Sequence, residues 1–248
     1  MPHFIYRETN KNKKIMANPN EKKGALNVEE TLSKNEAFFL KHKNVIISAV
    51  AAIIIIIAGV IVYKNYIAQP REDEASTALA KGQDYFANEQ YDKALNGDGA
   101  GYAGFVKIAS DYSSTDAGNL ANLYAGLCYA NLNKWKEAAE YIEDFSTAGD
   151  QMISPAAMSA LANAYAHLNQ LDKAVETFKK AAKMADDKAD ENTNNSLSPT
   201  FLIQAGEILE SQNKKDEALE IYKDIKKKYV NAAISQEIDK YIKRASIK

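Results

Sequence analysis

Cysteine and histidine are scarce in this chain of 248 residues, which has one cysteine and three histidines. The single cysteine, Cys128, excludes an intrachain disulfide, so the fold must be held together by packing. His3 and His42 precede a long apolar run and His167 alone follows it, so no histidine pair can assemble after the run. We therefore predict no enzymatic activity, no cofactor and no metal site, and we interpret Cys128 as buried packing.

Two further segments lack the residues that chemistry would require. The glycines of residues 97–104 are not followed by the Lys-Ser/Thr pair of a phosphate-binding loop, so we interpret them as a flexible joint. The acidic pairs Asp186/Asp187 and Asp190/Glu191 fall in a polar segment, residues 186–196, that is poor in apolar side chains. We interpret this segment as a mobile linker whose carboxylates are solvated surface charges.

Residues 45–62 form a run of 18 residues without a charged side chain. As a helix the run would be about 27 Å long, close to the hydrocarbon thickness of a bilayer, and it exceeds the usual length of a buried strand. A cleaved signal peptide is the main alternative, but the run begins late and is followed by bulky residues where a cleavage site needs small ones. We predict an uncleaved transmembrane anchor over residues 44–66.

The charges on either side of the run are unequal. Residues 1–43 carry nine Lys or Arg and five acids, whereas residues 64–248 carry 22 basic and 28 acidic side chains. Because basic residues stay on the cytoplasmic side, we predict a partly disordered cytoplasmic tail over residues 1–43 and an outer domain over residues 71–248. Residues 1–15 add little to this layout, and Met16 is an alternative start to Met1. The acidic outer domain argues against a nucleic-acid partner.

After the apolar run the sequence repeats itself. A small residue is followed by a large residue three positions later, then by alanine, by an aromatic or aliphatic residue, and by an apolar residue at intervals of nine, four and three. A copy that starts at Gly82, Tyr85 and Ala94 resumes at Phe105 and Ile108 after seven extra residues. The ungapped copies are Gly126/Tyr129/Ala138/Ile142/Phe145, Ala162/Tyr165/Ala174/Phe178/Ala181 and Gly206/Leu209/Ala218/Tyr222/Ile225.

This spacing resembles the tetratricopeptide repeat, a helix-turn-helix unit of about 34 residues in which small residues let paired helices approach closely. The resemblance implies an all-α fold, with an N-terminal single transmembrane helix followed by an α-solenoid of about four tetratricopeptide-like helix pairs. An amphipathic segment over residues 235–245 would be the C-terminal capping helix.

In such solenoids the first helices of successive repeats line a concave binding surface. Members that clamp a terminal carboxylate use Lys and Arg there, and no basic residue occupies the positions counted here. A mixed apolar and amide lining favours extended or unfolded polypeptide, or the helix of a partner protein. The predicted protein-binding residues are Gln83, Phe86, Leu123, Leu127, Asn131, Asn163, His167, Ile203, Glu207 and Glu210.

A basic tail, one span and about four outer repeats together resemble the ancillary subunit of the bacterial Sec translocon over residues 28–248. The resemblance implies a single-pass inner-membrane protein with a periplasmic repeat domain, associated with the translocon and with periplasmic chaperones. A general envelope scaffold, for example in cell-wall synthesis or cell division, is the alternative interpretation. The sequence leaves the homo-oligomeric state and the identity of the partner open.

The charge asymmetry predicts the result of a protease-protection experiment. Protease added to spheroplasts should digest the chain beyond Tyr66 and spare the tail before Val45, because the positive tail is retained inside. Immunoblotting against a tag at each end of the chain shows which end is digested and which is protected. Protected repeats together with a digested tail would contradict the predicted orientation and would move the repeat domain to the cytoplasm.

Overall fold

The computed structural model describes residues 22–247, and the side chains of residues 38–247. Two compact units divide at the boundary between Tyr63 and Lys64. The described part of the first unit is one helix, α1 (Lys22–Tyr63), so the predicted tail overlaps this helix from Lys22 onward. The rest of that tail, and the choice between Met1 and Met16 as the start, lie outside the described residues.

The apolar half of α1 presents large hydrophobic side chains to its surroundings. Val45, Ile55 and Ile56 are each 65–71% exposed, and their neighbours along the run are similar. Among the described residues, one helix is long and apolar enough to cross a membrane by length and composition, and none of its apolar window is buried. A signal sequence near the N-terminus meets the same criteria.

The second unit is all-α. A five-residue π-helix (Lys64–Ala68) leads into it, and two 3-10 helices (Asp190–Asn192 and Ala233–Gln236) lie in its connections. Its α-helices are α2 (Gln69–Ala87), α3 (Tyr91–Asn96), α4 (Phe105–Asp111), α5 (Asp116–Asn131), α6 (Trp135–Glu143), α7 (Ile153–His167), α8 (Leu171–Asp187), α9 (Ser198–Ser211), α10 (Lys215–Lys228) and α11 (Ile238–Ser246). The first helices of the four pairs are α2, α5, α7 and α9. The second helix of the first pair is split into α3 and α4.

Each glycine of the repeat pattern lies where two paired helices cross. A Cβ added to Gly206 would stand 2.4 Å from Cε1 of Tyr222, and one added to Gly126 would stand 2.4 Å from Cγ1 of Ile142. In both pairs the partner is 16 residues further along the chain. Gly82 meets the ring of Phe105 at the same 2.4 Å, so the interrupted first pair rebuilds the same crossing. The close approach therefore explains the recurring small residues.

The glycine-rich insertion of the first pair is packed, so its interpretation as a flexible joint is wrong. Tyr102 is 4% exposed, and its hydroxyl donates to the carbonyl of Ala94 at 2.8 Å. The carboxylate of Asp98 accepts from the backbone N–H groups of Ala100 and Tyr102 and from the hydroxyl of Tyr85. These bonds hold the pKa of Asp98 well below its usual range, chiefly through the Tyr102 N–H. The carboxylate of Asp98 therefore holds the insertion in one conformation through hydrogen bonds.

The turn between the two helices of a pair has the same backbone in all four pairs. The seventh residue after each small residue is left-handed, with φ of 58–61° at Glu89, Asn133, Asn169 and Asn213. The residue after it donates back to the first helix, as in the bond of 2.9 Å from Lys134 N to Tyr129 O. Asparagine tolerates this conformation better than other non-glycine residues, and Glu89 is the exception. We call the four turns (residues 88–90, 132–134, 168–170 and 212–214) the turn edge.

Glu89→Asn should stabilise the second unit. Asparagine reduces the strain of left-handed backbone, which costs an ordinary L residue about 1 kcal/mol or slightly more. For a domain of this size that gain corresponds to a rise in Tm of about 2–4 °C, measured by circular dichroism of the detergent-solubilised chain. Asn133→Glu is the reverse change at the equivalent turn and should lower Tm by a similar amount. Equal melting temperatures in both variants would mean that side-chain choice does not matter at these turns.

The longer connections between successive pairs lie at the opposite edge. We call this the loop edge, comprising residues 112–115, 144–152, 188–197 and 229–237 with the first turns of α2, α5, α7 and α9. Hydrogen bonds join neighbouring parts of this edge. Glu72 accepts from Asp116 N at 2.7 Å, Asn119 exchanges two bonds with Ser146, and Gln151 donates to the carbonyl of Lys188.

Asp186 completes this series as a buried carboxylate, 5% exposed. It accepts from the hydroxyls of Ser198 and Tyr229, both at 2.6 Å, from Asn194 N at 2.9 Å and from the ammonium of Lys228. Burial raises the pKa of Asp186, but these donors outweigh it and the pKa lies below its ordinary value. The interpretation of Asp186 as a solvated surface charge is therefore wrong. It joins α8 to α9 and α10.

Asp186→Asn should destabilise the second unit in a pH-dependent way. The folded pKa of Asp186 is lowered, so its contribution is present above the unfolded pKa of about 4 and is lost as pH falls through the folded pKa. At pH 7 the variant should lose about 1–3 kcal/mol, because the buried donors lose a charged acceptor. Urea unfolding at pH 7 and at pH 3 measures the free energy of unfolding of the variant and of the wild type. The difference between the two should be smaller at pH 3.

Asp187→Asn is the matched control for this measurement. The carboxylate of Asp187 is about half exposed and pairs with Lys183 one helical turn away, so the change should be near neutral at both pH values. Equal losses in the two variants, or a pH-independent loss in Asp186→Asn, would contradict the role given to the buried carboxylate.

Candidate protein-binding face

The ten residues predicted to bind protein all lie on the first helices of the four pairs, α2, α5, α7 and α9. Their side chains differ in accessibility. Leu123 and Ile203 are buried, each 7% exposed. The half-buried residues are Gln83, Phe86, Leu127 and Glu210, and the exposed ones are Asn131, Asn163, His167 and Glu207. We call the eight accessible residues, with the side chains that contact them, the first-helix face.

Leu123 and Ile203 contribute to the cores between helix pairs. Leu123 packs in the cluster that contains Ala138, Ile142 and Ala174, and Ile203 packs in the cluster around Phe178 and Tyr222. A partner cannot reach these two side chains unless the helices separate. They support the face from behind.

On α2 and α5 the face is organised by an aromatic residue absent from the sequence prediction. The amide of Gln83 donates to the hydroxyl of Tyr124 at 3.0 Å, and the ring of Phe86 meets the Tyr124 ring edge-on at 5.4 Å. Tyr124 stacks in turn on Phe105, with ring centroids 5.2 Å apart. These contacts fix the orientations of Gln83 and Phe86, so a partner meets side chains that have already lost their rotamer freedom.

In the middle of the face a tryptophan and a histidine lie in parallel. The rings of Trp135 and His167 have centroids 3.6 Å apart and an interplanar angle of 2°. The exposed amides of Asn131 on α5 and Asn163 on α7 each donate to a carbonyl one turn back in their own helix. An amide has two N–H groups and an accepting oxygen, so each retains capacity to pair with a polypeptide backbone.

On α9 the two acids of the face are already paired. Arg244 of α11 makes a bidentate contact with Glu210, at 2.8 Å from Nε and 2.7 Å from the terminal nitrogen, and lies 3.6 Å from Glu207. The hydroxyl of Tyr222 also donates to Glu210. Arg244 chiefly, with Tyr222, holds the pKa of Glu210 below its usual range. The acids therefore anchor α11 to α9, and with Arg244 they carry one net negative charge.

Sequence counting did not identify Tyr124, Trp135 or Arg244 as parts of the face. Trp135 begins the second helix of its pair, nine residues after Gly126, and that position could have been counted from the repeat. Arg244 is outside the repeat, and no sequence signal pairs it with Glu210, which lies 34 residues earlier.

Two cavities lie away from this face. One of about 290 Å³ is lined by Leu202 with residues of α8 and α10, including Lys179 and Glu217. Another, of about 350 Å³, shares Lys179 and Leu202 and extends to Asp186. Both are shallow grooves between second helices. Within residues 38–247 no group of three or more His, Cys, Asp or Glu side chains is arranged to hold a metal ion.

Burial rather than reactivity characterises the single cysteine. Cys128 is fully buried in the core between α2, α4 and α5, and burial raises the pKa of its thiol to about 12. A thiol that is neutral at physiological pH and shielded from solvent is a poor nucleophile. The residue fills space at a helix crossing.

Comparison with known families identifies the helix pairs. The tetratricopeptide repeat family matches residues 155–188 and, separately, residues 202–232, which are the pairs α7–α8 and α9–α10. These two helix pairs are similar to tetratricopeptide repeats. The earlier pairs share their crossing and their left-handed turn, so the chain is all-α, with a long apolar N-terminal helix followed by tetratricopeptide-like helix pairs.

Solved structures agree on the fold. The chain is similar to the crystal structure of the nearly identical TPR-like repeats of a putative kinesin light chain from Podosopora anserina, with a TM-score of 0.53 and 14% identity over 70% of this chain and 86% of that one. A singly substituted form of the same repeats matches equally, over 85% of its length. Identity this low shows the fold alone. No curated protein sequence matches the chain.

Proposed function

We propose that this protein is a membrane-anchored adaptor that binds other proteins through the first-helix face. Its N-terminus would be cytoplasmic and its repeat domain would stand on the outer face of the bacterial inner membrane. The observation that carries the proposal is the presence, in one chain, of an exposed apolar helix and of tetratricopeptide repeats, which are interaction scaffolds.

The chemistry of the face favours extended or unfolded polypeptide. Phe86 and Leu127 supply half-buried apolar area, and Asn131 and Asn163 supply amides that can both donate to and accept from a peptide backbone. The pairing of Arg244 with Glu207 and Glu210 leaves one net negative charge there, so selection of a partner by charge is weak. A face of this kind binds many sequences weakly, because its binding energy comes from backbone and apolar contacts and not from one charged group.

A membrane anchor makes weak binding sufficient. A tether converts association with a membrane-bound partner into a local event at an effective concentration that reaches about the millimolar range for short connections. The domain would thus engage polypeptides that emerge at the membrane without needing high intrinsic affinity. For this reason we propose the Sec translocon and periplasmic chaperones as the protein's neighbours, assisting translocated or envelope proteins.

Crosslinking in intact membranes tests the proposal. In Asn131→Arg/Asn163→Arg, both exposed amides become charges that an apolar or backbone partner cannot pair. A loss of about 1.4 kcal/mol or more should lower the yield of partner crosslinks about tenfold, without loss of helical signal. Ser110→Arg/Thr147→Arg adds the same charge at exposed neutral positions outside the face and should keep the wild-type yield.

Mass spectrometry of the crosslinked species identifies the partner class. Recovery of translocon subunits, chaperones or translocating chains supports the proposed role. Recovery of cell-wall synthesis or division proteins instead would favour a general envelope scaffold. Full crosslinking yield in the Asn131→Arg/Asn163→Arg protein would show that the first-helix face is not the binding site.

A further inference from the structure

Exposed apolar side chains are unevenly distributed over the two edges of the repeat domain. Among the described residues after Ile67, the large hydrophobic side chains that are exposed are Met152 (69%), Ile153 (50%), Val230 (65%) and Ile247 (60%). The first three lie on the loop edge, and Ile247 is near the end of the chain. The turn edge consists largely of Asn, Gln, Glu and Lys.

The exposed apolar residues of the loop edge are held in place. Asp150 accepts from Met152 N at 2.8 Å and from Ile153 N at 2.5 Å, so its carboxylate fixes the start of α7 beneath both side chains. Val230 follows Tyr229, which is 2% exposed and is bonded to Asp186. The backbone that carries these side chains is therefore held in place, and the exposure of the side chains to water is unfavourable by about 25 cal/mol per Å² of apolar surface.

The chain reaches the domain at the same edge. Arg71 donates to the carbonyl of Asp111 at 2.7 Å, and Glu72 accepts from the N–H groups of Asp116 and Ala117, so the first turn of α2 is part of the loop edge. Ten residues separate Glu72 from the end of the apolar run at residue 62, a length of about 15 Å in a helix. The far end of α2, at the turn edge, is about 22 Å further along the chain.

The charged side chains of this edge do not favour an anionic or a cationic ligand. Lys226, Lys227 and Lys228 end α10 beside Val230, but two of them pair with Asp239 and Asp186. The acids Asp190 and Glu191 are also on the edge. Attachment by this edge would therefore depend on its apolar projections, and anionic headgroups would not be required.

We propose that the loop edge is a lipid-contact surface, with Met152, Ile153 and Val230 inserted among the headgroups of the membrane that holds the anchor. The proposal rests on the membrane anchor of the proposed function. It commits to a bilayer surface as occupant because the loop edge includes the first turn of α2, which the covalent chain joins to the apolar run over ten positions. Shallow insertion of a few apolar side chains suits an interfacial contact.

Fluorescence quenching in vesicles tests the proposal with the full chain. Single-cysteine proteins are made in a Cys128→Ala background, labelled with a fluorophore and reconstituted into phosphatidylcholine vesicles that carry nitroxide at the headgroup or on the acyl chain. Labels at Met152→Cys and Val230→Cys should be quenched by headgroup nitroxide about twofold or more above labels at Lys134→Cys and Gln170→Cys on the turn edge. Equal quenching at the two edges would overturn the proposal.

A label at Ile56→Cys separates this failure from a failure of the anchor. Acyl-chain nitroxide should quench it strongly. If it does so while the loop-edge labels remain unquenched, the lipid contact is wrong and the anchor stands. If the label at Ile56→Cys is not quenched either, the anchor and the lipid contact both fall.

A second variant separates insertion from mere proximity to the chain connection. With the label at Lys188→Cys, an exposed position of the loop edge, quenching is compared before and after Met152→Gln/Ile153→Gln/Val230→Gln. Insertion predicts that the triple change lowers quenching to the level of the turn edge. Unchanged quenching would show that the tether alone holds the edge near the bilayer. Quenching that appears only in vesicles with anionic lipid would overturn apolar insertion in favour of charge attraction.

Discussion

The close crossing of two helices at a small residue is the constraint on which the repeat domain depends. At Gly82, Gly126 and Gly206 there is no room for a Cβ, since side chains of the second helix stand where it would be. The crossing fixes how far the first helix runs before it must turn, and the left-handed residue follows seven positions later in every pair. The regular turn edge is therefore a consequence of packing at the centre of each pair.

No such crossing constrains the loop edge, and the helix pairs differ there in the lengths of their connections. Its connections vary from four residues between α4 and α5 to ten between α8 and α9. Apolar residues of these connections, such as Phe145 and Tyr229, pack into the cores. Hydrogen bonds from Glu72, Asn119 and Asp186 join the edge further. Asp186 is buried, so the loss of one of its partners would cost free energy, and this makes the contact of α8 with α9 and α10 specific. The same freedom lets apolar projections occur on this edge.

The sequence predicted what depends on spacing within one helix pair and failed where a contact joins distant segments. Spacing located the crossings, because a small residue and its partner lie 16 residues apart in the ungapped copies. It also placed Leu123 and Ile203 on the correct helices, but counting cannot determine how neighbouring pairs tilt, and these side chains turn out to be buried. Asp186 looked like a surface charge because its donors Lys228 and Tyr229 are more than 40 residues away. The pairing of Glu210 with Arg244 could not be predicted for the same reason, because the two residues are far apart in the sequence.

If the loop edge contacts lipid, the distance of the first-helix face from the membrane surface is determined by the length of the first helices. First helices of 14–19 residues would then rise from the membrane surface over about 21–28 Å. Asn131 and His167 end their helices, so they would be furthest from the bilayer, whereas the headgroups would cover the starts of α5 and α7. A polypeptide leaving the membrane would meet the aromatic and amide groups of the face only after clearing the interface. Such a face would favour segments that have emerged fully and are still extended, since a folded domain presents few free backbone groups to its amides.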